Sequence, residues 1–108
     1  MSADAFAALD VRVGRIIRAE LNAKARKPAY KLWIDFGPLG ERRSSAQLTV
    51  HYAPRQLVGR QVVAAVNLGT RRIAGFESEV LVLGVPDESG AVVLLKPDLQ
   101  VPNGGRMF

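Results

Sequence analysis

An all-β fold is what this sequence predicts: a five-stranded barrel with a short helix between its third and fourth strands. Three observations carry it. Apolar and polar side chains alternate at period two in successive short segments. Proline and glycine punctuate the gaps between those segments, and the one internal helical pattern is short and lies midway along the chain. The 108 residues are expected to form one domain, with a short helix over 1–9 and a C-terminal extension over 96–108 outside the barrel. A composition of 48% hydrophobic and 23% charged residues argues for a packed core and against disorder.

The elements follow in order. The alanine-rich start, with Phe6 and Leu9 three apart, suits a helix that begins after Ser2 or Asp4 as N-cap and packs on the domain or on a second subunit. Residues 10–21 read as a strand with Val11, Val13, Ile17, Ala19 and Leu21 on one face. Arg15 and Ile16 break the alternation directly after Gly14, which predicts a bulge or bend there. Residues 22–28 (NAKARKP) form a basic loop. In the next strand Tyr30, Leu32, Ile34 and Phe36 face inward and Lys31, Trp33 and Asp35 outward, before a turn over 37–40.

A third strand is expected over 42–50, with Ala46, Leu48 and Val50 inward and Arg43, Ser45, Gln47 and Thr49 outward. Residues 53–59 have proline near the start and glycine just past the end of one or two helical turns. Residues 62–66 are apolar on both faces, as in an enclosed strand, and 69–78 read as a loop carrying Arg71 and Arg72. Residues 80–83 and 92–95 flank turn chemistry at 86–90 as a hairpin, and the apolar run 80–85 reads as buried. Three strands, a helical turn and two or more further strands is the order of an OB-fold.

Charge and residue inventory narrow the function. The formal net charge is +5, but residues 12–72 hold 13 Lys/Arg against three acids, while residues 73–108 are net negative. Such a basic region attracts phosphates or acidic polypeptides. With no cysteine and a single histidine, His51, neither thiol chemistry nor a His/Cys zinc site can be built. No nucleophile pairs with His51, and Glu77 and Glu79 read as solvated edge charges, so no catalytic residue, metal or cofactor is expected. The absence of a basic, strongly apolar leader or a long apolar run leads to the expectation of a cytoplasmic protein that does not insert into membranes.

Binding has better candidates. Lys31 and Trp33 share one outward strand face and Arg43 and Ser45 the next, a setting for stacking a base or grasping an apolar side chain. Arg71 and Arg72 suit a phosphate or carboxylate clamp. Phe6, Leu9, Val101, Met107 and Phe108 are apolar residues outside the barrel and are expected at a homodimer interface.

The stretches DVRVGRI (10–16) and YKLWIDFG (30–37), with VNL (66–68) and RRIAGFES (71–78), resemble the tRNA-binding-domain family of OB-folds. SSAQLT (44–49), RRIAGFESEVLVLG (71–84) and VPNG (101–104) resemble its CsaA-type branch of export-related chaperones; related tRNA-binding modules typically have Gly-Met where Glu79-Val80 stands. The branch resemblance implies a homodimer of OB-folds, with the first helix and C-terminal segment packing across subunits. It also implies binding of unfolded or precursor polypeptides and cooperation with the Sec export motor. The wider family implies tRNA binding through residues matching Lys31, Asn67, Arg71, Arg72 and Ser78. The usual histidine-proline pair before the second strand is here Lys27-Pro28 in a shortened loop, a departure from the tRNA-binding pattern at that loop.

Overall fold

The computed structural model describes residues 3–108. Its central sheet is antiparallel, with strands in the order β3-β2-β1-β4-β7: β1 Val11–Leu21, β2 Tyr30–Asp35, β3 Glu41–Ala46, β4 Gln61–Ala65 and β7 Leu81–Val82. The sheet curls until β3 meets the segment leading into β7, where the Arg43 carbonyl accepts the amides of Glu79 (2.7 Å) and Val80 (3.2 Å). The result is a nearly closed five-stranded barrel of OB-fold type. Leu32, Ile34 and Phe36 fill it as the alternation requires, and helix α2 (Pro54–Leu57) seals one end by driving Leu57 into the same cluster.

β1 bends to serve both halves of the barrel. Its first half pairs with β4 and its second with β2. The change of partner falls at Arg15, directly after Gly14 where a bulge or bend was expected, but the bulge itself is at Ile17, where the register slips between Ile16 and Arg18. Ile16 is therefore inward and fully buried, while Ile17 is 45% exposed. Gly14 is needed for another reason: a Cβ there would lie 2.6 Å from the Ile34 side chain and 2.7 Å from that of Phe36.

Three other expectations are corrected. β3 ends at Ala46 rather than 50, because the chain turns and the Tyr52 amide bonds the Leu48 carbonyl; Leu48 stays buried but Val50 is 72% exposed. The segment 69–78 is a hairpin, β5 Arg71–Ile73 with β6 Phe76–Ser78, whose turn holds Ala74 and Gly75 at positive φ. The run 80–85 is divided between two sheets: β7 pairs with β4, while β8 (Gly84–Pro86) pairs with β9 (Val92–Leu94), leaving Leu81 and Val85 exposed.

Outside the barrel, α1 (Ala3–Ala8) forms the short N-terminal helix; the suggested cap Ser2 lies outside the described residues. The C-terminal segment docks on its own barrel along the outer edge of β1. Val13 N–H donates to Gly105 O (2.9 Å), Gly104 N–H to Val13 O (2.7 Å) and Met107 N–H to Val11 O (2.8 Å). Gln61, 2% exposed, secures the approach by bonding Val101 N and O and the Asn103 side chain.

Candidate nucleic-acid and polypeptide interface

The outward row of β2 organises the site, because antiparallel register places a partner on each side. Lys31 lies between Glu20 and Ser45, and Trp33 between Arg18 and Arg43. Over this grid the β5–β6 hairpin lays Phe76, buried, with its ring edge-on to Trp33 at 5.4 Å. Arg18 covers the Trp33 ring at 4.3 Å and is itself held by Glu20. Lys31 lies 6.0 Å from the Trp33 ring and 5.9 Å from that of Phe76. Trp33 thus points away from the core, as alternation requires, but it already has an edge partner and a covering cation.

Arg43 is held as well. Its Nε is 3.3 Å from Glu79 and its Nη2 3.4 Å from Glu77, with its ring-facing side 5.5 Å from Phe76. The two glutamates are therefore the partners that bind the hairpin to β3, not freely solvated charges. Ser78 does the same work from the buried side: its Oγ accepts the Ser45 amide (2.9 Å) and donates to Val80 O (3.3 Å). Asn67 lies apart from this group. Its amide accepts from Asp10 N (3.0 Å) and donates to Ala8 O (2.8 Å), joining β4's exit to the α1–β1 corner.

Two hollows flank the hairpin and share Ser45 and Ile73. One, about 570 Å³, lies between the basic loop and the hairpin turn and is lined by Lys24, Arg26 and Lys27 together with Ala29, Ile73 and Ala74. The other, about 400 Å³, is lined by Leu68, Ile73, Val80 and Leu81 with Arg71, Thr70 and Ser78. Lys24, Arg26, Lys27, Arg71 and Arg72 are all exposed, and among the described residues none of the five has a side-chain hydrogen bond or ion pair. Lys24, Arg26, Lys27 and Arg71 stand in the linings of the hollows, whereas Arg72, like the equally exposed and, among the described residues, equally unpaired Arg55 and Lys96, is in neither lining. The sequence reading selected Arg71 and Arg72 but not the three of the loop, nor Arg18 and Phe76. The clustering of bases over 24–27 was the available signal for the loop; Arg18 and Phe76 become visible only when β1 and the hairpin close over Trp33.

His51 sits elsewhere, its Nε2 2.6 Å from Asp87 at the β8–β9 hairpin. That contact, with Ser89 and the Ala91 amide, holds the Asp87 carboxyl well below the usual range. Its role is to fasten a hairpin. Among the described residues no group of three or more His, Cys, Asp or Glu could hold a metal ion, and no helix is long and apolar enough to cross a membrane.

The class that fold and surface define is the OB-fold type: a nearly closed five-stranded barrel with exposed cations beside two hollows on its outer face. The family model described as "Putative tRNA binding domain" matches residues 11–106, and the chain belongs to that family. Its relatives include the methionine--tRNA ligases of Methanothrix thermoacetophila, 43% identical over 101 residues, and Porphyromonas gingivalis, 37% over 102. The match takes in 94% of this chain but only 14% and 15% of those ligases.

Solved structures place it more finely, near the CsaA branch. The chaperone CsaA of Bacillus anthracis is 49% identical with a TM-score of 0.94, over 100% of this chain and 98% of that one. CsaA of Picrophilus torridus is 41% identical with a TM-score of 0.92, over 100% and 99% of the two chains. A methionyl-tRNA-synthetase-related protein of Pyrococcus horikoshii is 30% identical, with a TM-score of 0.87 over 100% and 97%.

Proposed function

We propose that this protein is a CsaA-like chaperone: a cytoplasmic homodimer that holds unfolded or precursor polypeptides for Sec-dependent export and performs no chemistry. The observation that carries this is the pair of neighbouring hollows beside the hairpin, whose linings combine apolar side chains with unpaired cations. An extended chain offers both kinds of contact at once. Trp33 supports the same reading, since Arg18 already covers its ring and limits its use as a base-stacking platform. Similarity to CsaA chaperones over nearly the whole of both chains adds to it.

A second reading is a tRNA-binding module. It is favoured by the unpaired cations Lys24, Arg26, Lys27 and Arg71 that line the two hollows and by the family to which the chain belongs. The two differ in salt dependence. Phosphate contacts release counterions, with a log–log slope of roughly −0.7 per single-strand phosphate contacted, whereas apolar capture is far less sensitive. Parallel titrations with an unfolded precursor and with tRNA are expected to leave precursor binding in place at physiological salt. Precursor binding that vanishes as salt rises, while tRNA binding persists, gives the function to the second reading.

A further inference from the structure

The two hollows beside the hairpin are chemically unlike, and they are neighbours, with Ser45 and Ile73 in both linings. The loop hollow presents Lys24, Arg26 and Lys27 with no carboxylate in its lining. The hollow beyond the shared wall of Ser45 and Ile73 presents Leu68, Val80 and Leu81 with Arg71 as its one charged group. The acids nearest this region do not compensate the loop cations: Glu77 and Glu79 are both engaged on Arg43, and Glu20 on Arg18 and Lys31.

We infer that the pair of hollows selects polypeptide segments in which a run of acidic residues directly adjoins an apolar run. The acidic run would lie in the loop hollow and the apolar run would cross Ile73 into the second. This rests on the polypeptide-holding reading above and adds a client rule to it. Charge sets the first half: an aspartate or glutamate run meets three unpaired cations, while a lysine run meets like charge and is repelled. Area sets the second half, because Leu68 and Leu81, 58% and 51% exposed, gain burial only from an apolar side chain. A segment that is only acidic or only apolar engages one compartment, and linking the two converts the second contact into an intramolecular one.

The test uses synthetic peptides in which one leucine-valine block is joined to a run of aspartate, asparagine or lysine, alongside the aspartate run alone. Binding is read by fluorescence anisotropy on the full chain at physiological salt. The aspartate-linked peptide is expected to bind roughly tenfold or more tighter than the lysine-linked one, and the aspartate run alone to bind far more weakly than the joined peptide. In the triple variant Lys24→Gln, Arg26→Gln, Lys27→Gln the preference is expected to collapse, with the aspartate-linked and lysine-linked peptides binding within about twofold of each other. Equal binding of the three linked peptides, or a preference that survives in the triple variant, overturns the client rule and leaves the chaperone reading standing. Failure of every peptide together with tight binding of a single-stranded oligonucleotide overturns both.

Discussion

Ser44 lies in the barrel interior opposite Leu32, fully buried, and its hydroxyl has no hydrogen-bond partner. A buried hydroxyl left unsatisfied costs free energy that a methyl group does not. Ser44→Ala is therefore expected to stabilise the protein by about 1 kcal/mol in urea denaturation; a loss of similar size would mean the hydroxyl is satisfied in solution. Trp33 is the contrasting residue, large but outside the core. Its edge contact with Phe76 and its cation contact with Arg18 are worth about 0.5–1.5 kcal/mol each at most. Trp33→Ala should cost about 1–2 kcal/mol, against about 3–5 kcal/mol for Phe36→Ala inside the barrel. Equal costs would place Trp33 in the core. Because Trp33 is the chain's one tryptophan, its emission also reports whether a ligand displaces Arg18.

Among the elements, the C-terminal segment makes the most specific prediction. It reaches β1 by passing Gly104 tightly over Phe36: Gly104 has φ +95, and a Cβ there would lie 2.6 Å from the Phe36 carbonyl oxygen. Gly104→Ala should lift the segment from the barrel. The Val13 amide, which donates to Gly105, should then exchange faster, while the Ile16 amide, bonded to Arg60, should not change. Unchanged Val13 protection would show that the dock is held elsewhere. Asp10 gives the same dock a pH dependence. Its carboxyl accepts from Arg12, which also donates to Gly104 O, and Arg106 lies nearby, so its pKa is lowered chiefly by the Arg12 hydrogen bond. A group lowered in the folded state stabilises it above its ordinary pKa and loses that contribution as pH falls through the lowered one. Val13 exchange should therefore accelerate below the usual aspartate range, and Asp10→Asn should show that faster exchange already at neutral pH. An identical pH profile in the variant would remove Asp10 from the account.

For the molecule as a whole the exposed apolar residues decide. Phe6, Leu9, Val101, Met107 and Phe108 remain between 38% and 107% exposed, and Arg106 ties the tail to α1 through Ala7 O. The docking of the tail uses backbone bonds and the polar side chains of Arg12, Gln61 and Arg106, so these apolar side chains are left for another surface. An isologous dimer that buries them is the assembly we propose. Phe6→Asp with Met107→Asp is expected to give a folded monomer by light scattering, since neither change touches the barrel. A dimer that persists in the double variant would put the interface on another face.

The inward set Tyr30, Leu32, Ile34 and Phe36, the helical turn near Pro54 and the outward direction of Trp33 were all legible in the chain, because local periodicity and turn chemistry determine them. Those features follow from neighbouring residues alone, as does a concentration of basic residues before residue 73. The position of the β1 bulge at Ile17 was not legible, since Ile16 and Ile17 are both apolar and only pairing with β2 distinguishes them. Nor was the hairpin at 71–78, which is anchored by Ser78, Glu77 and Glu79 on a strand more than thirty residues earlier. Which charges stay free is settled only by the folded chain: it engages Arg43 and Arg18 on internal partners, leaves Lys24, Arg26, Lys27 and Arg71 exposed in the linings of the two hollows, and leaves Arg72 exposed outside both. The physical reason is that periodicity is a property of neighbours in sequence, whereas the pairing of a charge depends on which distant strand the folded chain brings within a few ångströms of it.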